Sequence, residues 1–415
     1  MRKKISVSVS VLVIVIASLM VIGVGGSLNN PKKDLIDIKG EKENLGDVLF
    51  LQQSRVDLYK NIQTFVSKDG FKTEEYKNIK NFKSKLSKTI NSNKDLFKNN
   101  LPDKNSVYTS NNNIGFLEEH RMDYGKNGEV LHDFIIHNKN LKTNEITNYV
   151  FSIPDEFKSE SNFHQWFTVD IKEDYVYILY SAADNVEYDR GGNVKNIGNS
   201  YLNLYTFNLN TQEVKKKDSY QISNKNEEKI IVDGSIGFKD NDRLYTFIKK
   251  VDLNNEEKSN YYLVYYDINS NKFNTINKPV IEDYNESYLS ENITYDVEGD
   301  FLYLLQNTVE NGEGTVLKLS TINLKTNEVI DIDKKYRVDS IYDNFNIKNF
   351  RIIDNKMYMC INSWKDNDRN DGKNDIVKDS IFVIDEKNGQ VLYQGEYLEN
   401  IPGYKTELII TKDEL

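Results

Sequence analysis

Cysteine is nearly absent from this chain: 415 residues hold a single one, Cys360. No internal disulfide can form, so the fold must rest on its core, and a chain of this length can build one, since large chains bury about three-quarters of their unfolded surface. Cys360 lies in the apolar run Lys356-Met-Tyr-Met-Cys-Ile361, which predicts a buried, inert thiol. Histidine is scarce, with four residues. His120 and His132 flank the turn Gly125-Lys-Asn-Gly128 and can be cross-strand neighbours, while His137 falls on the opposite face of a regular strand. Zinc needs three or four converging ligands, and at most two converge here. His164 beside Trp166 reads as a packing or pocket residue. No serine sits in a Gly-x-Ser-x-Gly elbow, and Gly191-Gly192 lacks the lysine and strand of a phosphate loop. Positive charge is also short, with 54 basic residues against 64 acidic ones. An acidic protein repels phosphate polymers, which argues against nucleic acid as a partner.

Long apolar runs occur only once, at the start. Arg2, Lys3 and Lys4 precede an uncharged run from Ile5 to Gly26, long enough to span a ~30 Å hydrocarbon core as a helix. It reads as an uncleaved signal anchor; Val24-Gly25-Gly26 offers a cleavage site to the rival reading, a removed signal peptide. Without a cysteine near it, a bacterial lipoprotein is excluded. The basic start places residues 1–4 in the cytoplasm and sends the rest outward. Setting those three basic residues aside leaves the exported part at about −13. A four-residue tail is too short to signal inward by itself. The last residues, Lys412-Asp-Glu-Leu415, spell an endoplasmic reticulum retrieval signal, but that signal marks soluble lumenal proteins and conflicts with an anchor.

Residues 27–44 read as a polar linker, and Asp47–Gln53 and Asp57–Val66 as two strands joined to Ser67-Lys-Asp-Gly70 as the next turn. From Thr73 to Lys98 the residues Tyr76, Ile79, Phe82, Leu86 and Ile90 recur at helical spacing, which predicts an amphipathic helix. Residues 45–105 are thus a strand pair plus a helix. Beyond Ser106 a phrase returns about every 55–70 residues: Leu141-Lys-Thr-Asn-Glu-Ile146, Leu209-Asn-Thr-Gln-Glu-Val214, Ile268-Asn-Ser-Asn-Lys-Phe273, Leu324-Lys-Thr-Asn-Glu-Val329 and Glu386-Lys-Asn-Gly-Gln-Val391. Each copy is a polar turn between alternating, aromatic-rich runs, a hairpin signature. A second landmark moves with it: Tyr177, Tyr245, Tyr303 and Tyr358, each just after an Asp-led turn. Four-stranded units follow near 106–155, 162–222, 234–282, 290–338 and 346–398. The early strands and the last run, Tyr404–Thr411, can complete one further unit together. The predicted fold is all-β: a β-propeller of about 5–7 four-stranded blades over 106–415, preceded by a transmembrane helix at 5–26 and a short helical element. Radially stacked sheets bury both faces, which suits strands rich in Tyr, Phe, Ile and Leu. A pair of β-sandwiches is the rival architecture.

The stretch Ser380–Tyr393, with Asp385, Gly389, Val391 and Tyr393 at the marked positions, resembles the third and fourth strands of quinoprotein-like and WD40-like bacterial propeller repeats. Tyr393 stands where that family carries tryptophan, and the other copies lack the glycine, so nothing supports a quinone cofactor site. With its wealth of Asn, Lys, Ile and Tyr and only five prolines, the whole chain resembles membrane-anchored propeller-like proteins of low-GC Gram-positive bacteria.

For ligands, the loop Asp366-Asn-Asp-Arg-Asn-Asp-Gly-Lys-Asn-Asp375 offers the oxygens calcium needs. Its glycine is one place late for an EF-hand loop, and no acid stands at the twelfth position. The loop reads as a solvated acidic loop or as a structural Ca²⁺ site held by Asp366, Asp368, Asn370 and Asp375. No catalytic signature is present, and with 64 carboxylates acidic pairs arise by chance. The functional expectation is an extracytoplasmic, membrane-anchored binding or scaffold module recognising a protein or envelope ligand through a propeller face. An envelope hydrolase or lyase acting on carbohydrate is the alternative.

Overall fold

The computed structural model describes residues 35–412, apart from 56–60, 77–88, 90–91, 98–101, 103, 125–129, 155–163, 184–185, 189–193, 199, 222–227, 253–258, 285–292, 311–313, 339–343, 366–375 and 399–404. The segment 5–26 lies outside these residues. Among the described residues no helix is long and apolar enough to cross a membrane.

The chain begins with β1 (Ile36–Gly40), β2 (Val48–Arg55), β3 (Asn61–Ser67) and β4 (Gly70–Tyr76). Sheet I follows as β5 (Val107–Thr109), β6 (Asn113–Tyr124), β7 (Val130–Asn140) and β8 (Ile146–Pro154). Sheet II begins with β9 (His164–Lys172) and β10 (Tyr175–Ala183). After a small ribbon, β11 (Glu187–Tyr188) and β12 (Val194–Asn196), it continues with β13 (Ser200–Asn208) and β14 (Val214–Ser219). Sheet III is β15 (Glu228–Asp240), β16 (Arg243–Asp252), β17 (Ser259–Asp267) and β18 (Lys272–Thr275), with β19 (Ile281–Tyr284) also paired to β17. Sheet IV is β20 (Ile293–Glu298), β21 (Phe301–Glu310), β22 (Gly314–Asn323) and β23 (Glu328–Val338). Sheet V is β24 (Asn344–Ile353), β25 (Lys356–Lys365), β26 (Ile376–Asp385) and β27 (Val391–Leu398), extended by β1 on its outer edge. The last strand, β28 (Lys405–Thr411), pairs with β2 to give sheet VI in the order β28-β2-β3-β4. Every pairing is antiparallel, and it joins consecutive strands except for β10 with β13, β17 with β19, and the pairings of β1 with β27 and β2 with β28 where the chain ends meet sheets V and VI.

The repeat boundaries read from sequence match sheets I to V, and the chain ends share the sixth sheet. The helical expectation is corrected at its start. Thr73 and Tyr76 belong to β4, where Thr73 faces Thr64 and Tyr76 faces Asn61. The Ser67–Gly70 turn returns the chain directly onto β3, and the strand pairing it sets overrides the three-and-four spacing. Ile79, Phe82, Leu86 and Ile90 lie outside the described residues. Thr89 and Ser92 are helical, and the turn that follows buries Leu96 and Phe97 against sheet I.

The sheets stack face to face in chain order, and each neighbouring pair shares an apolar core. Phe134, Ile136 and Phe151 of sheet I meet Val169, Ile178 and Phe207 of sheet II. Sheets II and III join through Leu179, Leu204, Val232 and Leu244, and III and IV through Phe238, Tyr245, Leu263 and Leu304. Leu305, Leu319, Met359 and Phe382 join IV to V, and Phe50, Val66, Cys360 and Ile381 join V to VI. Cys360 is buried, as expected. The two faces left over carry their own clusters, Val107, Ile114 and Phe116 on sheet I and Leu49, Leu51, Phe65 and Ile410 on sheet VI. Basic side chains tie edge strands of different sheets together. Lys239 of β15 reaches Asp170 of β9 at 3.1 Å and the Val107 carbonyl of β5 at 2.7 Å. Arg351 of β24 reaches the Ile409 carbonyl of β28 at 3.1 Å and Glu298 of β20 at 3.4 Å.

Candidate functional site

One end of the molecule is built from tight turns of common design. The side-chain oxygens of Asn140, Asn208, Asp267, Asn323 and Asp385, each just before the repeated phrase, accept two backbone N–H groups of the turn that follows, at 2.9–3.1 Å. Such local bonds are why Asn and Asp favour turns. Asn144, Gln212, Asn271, Asn327 and Gly389 then take positive φ, between 52° and 76°. The first phrase residue donates its N–H to the turn between the first two strands of its own sheet: Leu141 to Asn112, Leu209 to Asp174, Ile268 to Asp242, Leu324 to Asp300 and Glu386 to Asn355. The two turns of each sheet are thereby locked together, and their residues correspond position by position from sheet to sheet.

That correspondence shows where sheet I departs. The landmark tyrosines Tyr177, Tyr245, Tyr303 and Tyr358 all lie against the following sheet. In sheet I the same position is Gly115, paired with Asn138. A Cβ there would collide with the Tyr108 hydroxyl and the His137 carbonyl, so the glycine makes room for a phenol supplied from β5. Tyr108 is fully buried; burial holds its hydroxyl proton well above the usual phenol range. It donates to Asn138 Oδ1 at 3.0 Å, and Asn138 Nδ2 donates to Asn113 Oδ1 at 3.2 Å.

Asn113 and Asn138 occupy the positions that Arg243 and Tyr265 hold in sheet III. There the Arg243 guanidinium lies 4.9 Å above the Tyr265 ring, and its Nη1 donates to the Leu324 carbonyl of sheet IV at 2.7 Å. Asn327 closes the arrangement by donating to the Tyr265 hydroxyl at 3.0 Å. The asparagines of sheet I are too short to reach Leu209, the counterpart of Leu324, and a cleft of about 210 Å³ opens between sheets I and II. Asn113 and Asn138, each 5% exposed, form its floor. Thr147 and Tyr149 line it from sheet I, and Asp174 and Asn210 from sheet II. The Tyr149 ring is fixed against Phe207, with centroids 5.4 Å apart, and Asn210 donates to Asp174 at 2.9 Å. Asn113 Nδ2 has no hydrogen-bond partner among the described residues. At sheets III and IV a recess of about 490 Å³ also exists; its buried members Ile276 and Val329 are apolar, and its tyrosine is already bonded.

The residues singled out from sequence fall elsewhere. Asp366, Asp368, Asn370 and Asp375 lie outside the described residues. Asp379, which follows that loop, is in β26, 2% exposed, and accepts from Asn362 at 2.5 Å and Gln52 at 3.5 Å, so it serves the contact between sheets V and VI. Met122, not His120, stands opposite His132, and His120 falls at the bulge between Glu119 and Arg121. His137 stacks on Phe116 at 4.4 Å and bonds Asn148 and Glu118, both at 2.9 Å. Among the described residues no three His, Cys, Asp or Glu side chains gather as a metal site. The cleft residues escaped the sequence reading because they mark a departure from the repeat. The signal was Asn112-Asn113-Ile114-Gly115, which stands where other units carry an acid or Asn followed three residues later by the tyrosine.

No protein-family model matches this chain, and no curated protein matches it in sequence. Solved structures similar to it include a GH43_1 enzyme from Xanthomonas citri complexed with xylose, 10% identical over 55% of this chain and 72% of that one, with a TM-score of 0.27. The WD40 domain of SCAP from fission yeast is 9% identical over 89% and 75%, TM-score 0.30. A Trypanosoma rangeli sialidase is 7% identical over 71% and 53%, TM-score 0.31. Likeness at these scores decides nothing about function, and the architecture rests on the chain's own strand pairing.

Proposed function

We propose that this chain is a single-pass protein of a Gram-positive cell envelope, anchored by residues 5–26, that displays its sheets outside the cell as a binding or scaffolding module. The six sheets would be propeller blades, with the apolar faces of sheets VI and I meeting to close the ring. The side-chain bridges of Lys239 and Arg351 draw the first strands of sheets I to III and of sheets IV to VI toward one another, as the centre of a ring requires. Binding is supported by the cleft between sheets I and II, where a buried polar floor stands open at a level that Arg243 seals in sheets III and IV. Few precisely placed polar groups in a preformed concavity are what recognition of a small group requires. The test is crosslinking and affinity capture of the full-length protein from its native membrane, with an anchor-only fragment as control. Capture of an envelope component that falls when Asn113→Arg fills the cleft supports the reading. Capture no greater than the control overturns it.

A hydrolytic reading has one observation in its favour: Glu145 and Asp174 both line the same cleft, and glycoside hydrolysis uses a carboxylate pair. Turnover of a glycan substrate, lost in both Glu145→Gln and Asp174→Asn, would establish it; binding without turnover would exclude it.

A further inference from the structure

We infer that the cleft between sheets I and II takes one neutral, hydroxyl-rich ring, a hexose or N-acetylhexosamine unit of a glycan. This rests on the binding reading of the same cleft and names its ligand. The floor is the first argument. Asn113 is 95% buried yet keeps an amide donor without a partner among the described residues, and its own oxygen is taken by Asn138. That donor is open to solvent at the cleft, and a ligand hydroxyl entering the cleft can take it in place of water. Planar amides both donate and accept, the pattern that adjacent sugar hydroxyls match. Size is the second argument. About 210 Å³ is below the ~300–1,000 Å³ of drug-sized pockets and holds roughly seven waters' share of liquid volume, the scale of a single ring. Charge is the third. Lys142 at the rim is offset by Glu145 and Asp174, so the cleft offers no excess positive charge to a phosphate or carboxylate. Tyr149, held by Phe207, supplies the apolar surface that a sugar's C–H face packs on, and the cleft is open at the rim for a chain to continue.

The test titrates full-length protein in lipid nanodiscs with methyl β-glucoside, methyl β-galactoside and N-acetylglucosamine, followed by saturation-transfer NMR. At least one sugar is expected to bind saturably. Asn113→Arg and Tyr149→Ala should each weaken that binding by about tenfold or more, as loss of a buried polar contact or a packing face implies. Asn113→Arg gives up the bond from Asn138, so its thermal midpoint should fall by no more than a few degrees, which separates a filled cleft from a broken fold. Failure of all three sugars to bind overturns the inference, as does binding that Asn113→Arg leaves unchanged. If no sugar binds while Asn113→Arg still abolishes capture of an envelope component, the sugar falls and the binding reading survives.

Discussion

The contact between sheets I and II and the contact between sheets III and IV are built on the same frame and end differently. Both have an apolar core, the same paired turns and a buried phenol near the turn end. In sheets III and IV the phenol is Tyr245, in place within the repeat, and Arg243 crosses to the next sheet and closes the gap at its own level, leaving beside it a recess whose buried members Ile276 and Val329 are apolar. In sheets I and II the phenol is Tyr108, brought from the edge strand β5, and two asparagines stop short of the neighbour. A backbone made rigid by turn chemistry thus lets two or three side chains decide between a sealed contact and an open polar cleft. Fold and site are separable here, because the substitutions that open the cleft leave the turn bonds and the strand register intact.

Removing the phenol of the open contact should have the largest effect. Tyr108→Ala deletes a fully buried aromatic side chain and should cost about 3–5 kcal/mol, read as a drop in the denaturation midpoint. It also strands Asn138, so a loss near zero would break the comparison. Arg243→Ala opens the sealed contact. It removes a charge-assisted bond to the Leu324 carbonyl and the stack on Tyr265, and about 1.5–3 kcal/mol of stability should go with them. Asn113→Ala, at the equivalent position, should cost about 1 kcal/mol or less, because its one side-chain bond lies beside open space.

Alkaline pH should weaken the sealed contact next. Burial pushes Tyr245 up to about 12 from the ordinary 10, and Tyr266, which packs between sheets II and III, likewise to about 12. The folded protein therefore holds these protons more tightly than the unfolded chain. Their contribution is complete below pH 10 and is lost as pH rises from 10 toward 12. Unfolding midpoints measured across that range should fall, and in Tyr245→Phe they should fall less steeply. The smallest effect is expected for Asn327→Gly. Asn327 sits at φ 57°, which glycine adopts freely, so the backbone gains what the lost bond to Tyr265 gives up, and stability should move by a few tenths of a kcal/mol.

The sequence made the frame legible because the frame depends on local chemistry. Asn or Asp followed by a Thr-Asn, Thr-Gln, Ser-Asn or Asn-Gly turn predicts the hairpins, and all five copies form them. The tyrosines at matching positions identify the faces that pack on the next sheet. The segment after Gly70 was misread at its start, since helical spacing in Thr73–Tyr76 competes with a turn that had already committed the chain to β4. The cleft was illegible for a different reason. Periodic reading finds what recurs, whereas Gly115, Asn113 and Asn138 matter because they break the recurrence, and only the strand register shows which residues they replace.

Hydrogen exchange of the full-length protein with and without saturating N-acetylglucosamine tests the contrast most directly. Protection should rise at the turn end of sheets I and II, over residues 110–115, 138–149 and 209–210, and stay unchanged at 324–329 in sheet IV. Equal protection at both contacts, or none at either, would contradict a ligand site created by the departures of sheet I.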